Sequence, residues 1–270
     1  MHSQLCNNNK MFSFENTIDQ LLKSANKHSL ADLSDSSLMD RVDSKFLLPA
    51  DQLPHVLNIC SNHYSALEIA DKSKFQYQNI YFDTPLLDFY NQHHNRKLNR
   101  HKVRHRYYAD SGISYLEVKF KTNKGRTVKT RQLVDNQPRE ALDSSYVFLK
   151  QQGITAPDSL KPSQLCTYDR ISFANQQLTE RITLDLNLSW TNSQSWNFDS
   201  SQAVTMPNFV VAELKQEKRD RNSPFFQLMR EIAIRPQGFS KYCMGVSLTK
   251  KQQVKSNRFK ANILQLQRGA

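Results

Sequence analysis

This sequence is short of several features, and each shortage removes a class of protein. Its four cysteines, Cys6, Cys60, Cys166 and Cys243, lie far apart. None forms the close pair that a thiolate metal site or a redox dithiol requires, so a reducing compartment is the expectation. The opening residues, MHSQLCNNNKMFSFEN, contain no apolar core of signal-peptide length. No uncharged apolar run elsewhere approaches the roughly 18 residues of a membrane helix. A cytoplasmic protein without a transmembrane segment is expected, and attachment through a membrane-protein partner stays compatible with that. Glycine is scarce, at six residues, and GISY and NKGRT hold single glycines suited to turns, not to a glycine-rich phosphate loop. No repeat of solenoid length occurs.

Negative charge is missing from one place in particular. The chain carries 37 Lys and Arg against 25 Asp and Glu, a net +12. Between Arg96 and Arg131 there are 12 Lys and Arg, opposed only by Asp110 and Glu117. About one seventh of the chain therefore supplies 12 − 2 = +10 of the excess. Charge concentrated in this way points to an anion site and not to a general solubility device. At 270 residues the chain is long enough to bury a substantial core unaided, as one large domain or one and a half ordinary ones.

Residues 1–37 are polar. Phe14, Ile18, Leu21 and Leu22 can line one short helix, but the surrounding Asn, Ser and Lys suggest a loosely packed arm. PADQLPHVLNIC has Leu53, Val56, Leu57 and Cys60 at helical spacing, with Pro54 acceptable in a first turn. From Phe75 the period becomes two. FQYQNIYFDT, KVRHRYY, SYLEVKFK, RTVKTRQLV, TYDRISFA, ERITLDLNLSW and NFVVAELKQEK read as strands separated by turn-forming segments. ALDSSYVFLKQQG and PFFQLMREIAI read as helices, and residues 251–270 as a basic polar tail. The fold class is α+β, built on a large antiparallel sheet.

Alternation within the strands separates two faces. Lys102, Arg104 and Arg106 oppose Val103 and His105, and Glu117, Lys119 and Lys121 oppose Leu116, Val118 and Phe120. Lys129 and Arg131 oppose Val128, while Glu213 and Lys215 oppose Ala212 and Leu214. A half-solvated sheet with its polar side outward is the plain alternative. Against it, like charges facing one another across strands destabilise a sheet, and a solvent face ordinarily mixes both signs. A closed barrel with the charged face inward, filled by a polyanion and a divalent cation and wrapped by helices, accounts for the pattern. Guanidinium and ammonium groups from different walls suit chained phosphates. Isolated carboxylates among them suit Mg²⁺ or Mn²⁺. His93, His94, His101 and His105 lack the spacing of a zinc site, and His105 falls on the apolar face.

Seven segments in order resemble a VTC domain, the polyphosphate polymerase domain of the triphosphate tunnel metalloenzyme group that includes the CYTH domains. They are RVDSK (41–45), YFDTPLLDFY (81–90), the stretch from KVRHRYY to KTRQ (102–132), YDRISF (168–173), RITLDLNL (181–188), VAELK (211–215) and FSKY (239–242). The resemblance places the domain at residues 38–250. It implies that Lys45, Arg104, Arg106, Lys119, Lys129, Arg131, Arg170 and Lys241 bind phosphates, with Tyr168 and Ser240 as hydroxyl donors. Arg104, Arg106, Lys119 and Glu213 would act in catalysis. Glu213 would hold the metal, with Glu117 as its helper or as an organiser of the basic wall. His93 stands where the resemblance leads one to expect arginine, with Arg96 or Arg100 able to compensate. The implied activity is transfer of the terminal phosphate of ATP to a polyphosphate chain with Mn²⁺ or Mg²⁺. A triphosphatase of the same fold and a non-catalytic polyanion binder are the alternatives. Nucleic acid is not an expected partner, since it favours an open groove with aromatic platforms.

Overall fold

The structure is a computed structural model that describes residues 14–33, 41–193 and 196–268. Cys6 and the start of the expected arm lie outside the described residues. The chain divides into two compact units.

The first unit comprises residues 1–74, 170–186 and 207–239. Its centre is β2 (Val42–Pro49) paired antiparallel with β11 (Phe209–Gln216), which pairs in turn with the first half of β9 (Glu180–Asn192). β1 (Lys27–His28) pairs parallel with β3 (Ser65–Leu67), and β3 pairs with the end of β8 (Lys161–Ala174). Period two gives these strands an apolar face of Phe46, Leu48, Ile171, Phe173, Ile182, Leu184, Val210, Ala212 and Leu214, all buried. Three helices cover it: α1 (residues 14–24), α2 (Leu53–His63) and α6 (Pro224–Glu231). The edges of Phe225 and Phe226 meet the Phe46 ring, each with centroids 5.8 Å apart. α6 starts where the Ser223 hydroxyl accepts from the Phe226 N–H and Pro224 occupies the first turn. The described part of the arm is not loosely packed, for Ile18, Leu22 and Ala25 are buried in this core. The four-residue spacing of Phe14, Ile18 and Leu22 is enough to seat a helix once a sheet face is present.

The second unit comprises residues 75–169, 187–206 and 240–270. β4 (Lys74–Asp83), β5 (Arg100–Tyr108), β6 (Ile113–Lys121) and β7 (Thr127–Val134) form an antiparallel meander. One face, with Ile80, Phe82, Val103, Leu116 and Val118, packs with Leu142 of α4 (Pro138–Asp143) and Leu149 of α5 (Tyr146–Gln151). The expected single helix over ALDSSYVFLKQQG is thus two short ones. β10 (Val204–Met206) pairs with the end of β9. α3 (Asp88–His94) starts at the buried Asp83, whose carboxylate accepts from the N–H groups of Thr84, Phe89 and Tyr90 and from the Tyr242 hydroxyl. α7 (Lys241–Thr249) crosses Gln164 and Trp190 at Gly245, where a Cβ would collide with both side chains. Residues 257–268 of the expected polar tail form helical structure. α8 (Lys260–Arg268) buries Leu266, and Phe259 just before it is buried as well.

β8 and β9 each contribute a stretch to both units. The hydrogen-bonded order is β2-β11-β9-β8-β4-β5-β6-β7. This path has two ends, so the expected closed barrel is corrected to an open antiparallel sheet: among the described residues β2 pairs with β11 alone and β7 with β6 alone. β7 is exposed over most of its length and carries Lys129 and Arg131, a charged edge of the kind that resists further pairing.

Candidate phosphate-binding site

Register determines which charges meet in the second unit. Across β4, β5, β6 and β7, Tyr81 faces Arg104, Arg104 faces Glu117, and Glu117 faces Arg131. One row further along, Lys102, Lys119 and Lys129 stand side by side. Like charges set side by side across strands repel one another.

Glu117 is fully buried and holds two of the cations. Its Oε2 accepts from Arg104 Nε at 2.8 Å and Nη2 at 2.5 Å, and its Oε1 lies 2.5 Å from Lys129 Nζ. Burial works to raise the pKa of this carboxyl, but Arg104, Arg106 and Lys129 outweigh it and hold the group far below the usual carboxylate range. Arg104 also donates to the Tyr81 hydroxyl at 3.3 Å. Arg106, 5 % exposed, has only neutral acceptors among the described residues: Asn79 Oδ1 and the Tyr168 hydroxyl, each at 2.8 Å. Tyr77 stacks on Tyr168 with centroids 5.3 Å apart, and the Arg106 guanidinium lies 5.1 Å from the Tyr77 centroid. Lys241 Nζ sits 4.6 Å from the centre of the Tyr168 ring, and Lys102 donates to Ser240 Oγ at 2.9 Å. Arg131 lies over Tyr115 at 4.5 Å.

The second unit therefore gathers Arg104, Arg106, Lys119, Lys129, Arg131, Tyr168, Ser240 and Lys241 on its strands and at the start of α7. Sequence reasoning placed Lys102 on the charged face without assigning it a role. Its parity with Arg104 and Arg106 was the available signal.

In the first unit Glu213 faces Lys45 across β2 and Thr183 across β9. Its carboxylate accepts from Lys45 Nζ and lies 3.4 Å from Lys215 Nζ. Burial lowers the Lys215 ammonium pKa, against the pull of Glu213. Arg170 makes a two-pronged bond to Asp185, 2.6 and 2.8 Å, which accounts for that aspartate, while Arg181 donates to the Leu33 carbonyl. The Thr183 hydroxyl is buried and has no hydrogen-bond partner among the described residues. Glu213 and Thr183 thus offer two hard oxygens on adjacent strands. That fits a small divalent ion drawing its remaining ligands from phosphate and water. Glu117 is contacted by two cations, Arg104 at 2.5 Å and Lys129 at 2.5 Å, the geometry of an organiser of the basic wall. Among the described residues no group of three or more His, Cys, Asp or Glu converges. Lys215 and Thr183 escaped notice in the sequence as site residues, since alternation reveals a face but not which hydroxyl on it lacks a partner.

A model of the VTC domain matches residues 40–250. The chain belongs to the VTC domain family. Every one of the twelve side chains assigned a site role from the sequence lies within that match. No curated protein matches the chain. Among solved structures, a candidate adenylate cyclase from Vibrio parahaemolyticus is similar at 16 % identity and a TM-score of 0.43, covering 76 % of this chain and 97 % of that one. One from Bacillus halodurans reaches 14 % and 0.49, covering 75 % and 96 %. A candidate adenylyl cyclase from Hippeastrum, described as having a dominant triphosphatase activity, reaches 15 % and 0.48, covering 77 % and 95 %. No helix among the described residues of this VTC domain protein is long and apolar enough to cross a membrane.

Proposed function

We propose that this VTC domain is a metal-dependent phosphoryltransferase, moving the terminal phosphate of ATP onto a polyphosphate chain. One observation carries the reading: of two buried arginines, Arg104 pairs with the buried Glu117 carboxylate while Arg106 donates to the neutral Asn79 and Tyr168, and both lie beside a row of lysines, an excess of positive charge that a polyphosphate would neutralise. Arg104, Arg106, Lys119, Lys129 and Arg131, with Lys45, Arg170 and Lys241, bind the phosphates, and Tyr168 and Ser240 orient the cations next to them. Glu117 organises Arg104 and Lys129. Glu213, with Thr183, would hold Mn²⁺ or Mg²⁺, which when bound supplies further neutralisation of phosphate oxygens.

No protein nucleophile is needed. The terminal oxygen of the chain is already ionised; it attacks the γ-phosphorus, the bond to the β-phosphate oxygen breaks, and ADP leaves with the electron pair. The protein's task is to hold the two anions together and offset their repulsion. Water in place of the chain end makes the same chemistry a hydrolysis. Incubation with ATP and Mn²⁺ is expected to give ADP and acid-labile phosphate chains. Orthophosphate as the sole phosphate product would replace the polymerase reading with a triphosphatase, and binding without turnover would leave a polyanion binder.

A pH dependence follows from Lys129. The residue is exposed, but its ammonium sits 2.5 Å from the buried Glu117, where desolvation, reinforced by Arg104 and Arg106 and opposed by Glu117, lowers its pKa to about 8. A lysine is charged below its pKa, so the site loses one cation as the pH rises through that value. KM for ATP is expected to rise severalfold from about pH 7 to about pH 9. A Lys129→Arg variant, charged throughout, is expected to flatten the rise.

A further inference from the structure

The cationic row on β5 does not end at Arg104. Lys102 and Arg100 have the same parity, and alternate residues of a strand recur every ~6.6 Å. Arg100 marks the end of the row, and there the chain beyond the family match joins it. The Phe259 ring sits against Tyr90, His93 and His94, with centroids 6.2, 6.2 and 5.8 Å away. Tyr90 donates its hydroxyl proton to the Lys255 carbonyl at 2.7 Å. Arg258, thus anchored, donates to the carbonyls of His93 and His94 at 2.8 and 3.2 Å. Arg100 meets the same turn, donating to His93 Nδ1 at 3.2 Å and to the Lys97 carbonyl at 2.6 Å. His93 can accept that bond because it is neutral: burial, then Lys102, Arg100 and Arg258, drive its pKa down to about 2.

Every one of these acceptors is uncharged. No carboxylate pairs with Arg96, Arg100 or Arg258 among the described residues. Burial, and then the charges of Arg96 and Arg100, lower the Arg258 guanidinium from its ordinary value, as expected of cations that face one another without a counter-ion. Each guanidinium carries five N–H donors, and the neutral acceptors use only some of them. Immobilised forks with spare donors and no anion suit phosphate oxygens.

We propose that Arg100 and Arg258, which both bond to the end of α3 and the turn after it, form a second oxyanion subsite that holds a phosphate chain longer than the part bound at Arg104 and Arg106, so that the C-terminal segment sets a preference for long chains. This rests on the phosphate-binding role proposed above. It gives residues outside the matched domain a part in selecting the polymer, and it gives His93 a role as the neutral support of Arg100.

The test compares the binding of tripolyphosphate and of long-chain polyphosphate to the full chain, for the unmodified protein, R258Q, R100Q and R104A. In R258Q and R100Q the ratio of long-chain to tripolyphosphate affinity is expected to fall about tenfold, roughly the loss of one charge-assisted contact. In R104A both affinities are expected to fall together. Should R104A weaken both while R258Q and R100Q keep the ratio, the subsite is overturned and the phosphate-binding reading survives. Unaltered tripolyphosphate binding in R104A would instead overturn the reading beneath it. Because Arg258 also caps α3, thermal unfolding of each variant is followed, and R100Q, which leaves that cap in place, decides the outcome if R258Q unfolds. Displacement of long-chain polyphosphate by a single-stranded oligonucleotide at equal phosphate concentration would assign the subsite to nucleic acid and overturn the proposal.

Discussion

A Glu213→Gln variant is expected to keep its fold and lose divalent-stimulated turnover by on the order of 10²-fold or more. The substitution preserves shape and removes one negative charge. Its structural cost is limited, since Lys45, Lys215 and Glu213 all keep partial contact with water, with side chains 30 %, 18 % and 18 % exposed. Its chemical cost is large, because the neutral amide is a poor ligand for a hard cation, and the two lysines, freed from their carboxylate, repel that cation. Initial rates across a Mn²⁺ titration, set beside a thermal unfolding curve, separate the two effects. Turnover equal to that of the unmodified protein at all metal concentrations would remove Glu213 from the metal site.

The largest loss of stability is expected from Glu117→Gln. Here the charge removed is fully buried, and Arg104 and Lys129 lose the one carboxylate that pairs with them among the described residues. Breaking a buried pair by deleting one partner costs about 3–5 kcal/mol, or about 10 °C in unfolding midpoint for a chain of this size. Two further readouts distinguish a charge effect from simple damage to packing. Tripolyphosphate, by supplying the missing negative charge, is expected to restore up to about 2.7 kcal/mol at a concentration of 100 Kd. The acid limb of stability is expected to change as well. The folded pKa of Glu117 is depressed, so its contribution is present above the unfolded value and fades as the pH falls below the ordinary carboxylate range. The glutamine variant lacks that part of the slope. An unchanged midpoint, or full loss of stability with no response to tripolyphosphate, would contradict the role given to Glu117.

The strands were legible in the sequence because each has one face against hydrocarbon and one that is not, and period two records that directly. The same parity placed Arg104, Arg106, Glu117, Lys119 and Lys129 on one face before any pairing was known. What parity cannot give is the partner across the ladder. That Arg170 binds Asp185, and that Glu213 lies between Lys45 and Thr183, follows from register, which is set by contacts distant in sequence. Sheet closure was beyond reach for a related reason: an inward-facing charged surface and an open charged surface have the same alternation. The helices at the two ends were underestimated because α1 and α8 are mostly polar, and each depends on a few apolar residues, Ile18 and Leu22 in one and Phe259 and Leu266 around the other. So small an apolar stripe holds a helix only when a prepared surface receives it.

Gly245 brings no charge to the site, yet the side chains of Gln164 and Trp190 occupy the space where a methyl group would go. Four and five residues before it, α7 begins at Lys241 and Ser240, which reach Tyr168 and Lys102. Enlarging this position by a single carbon would lift the helix from the strands and carry that ammonium and that hydroxyl away with it. The spacing between polymer-facing groups is in this sense gauged by a hydrogen atom one helical turn away from them.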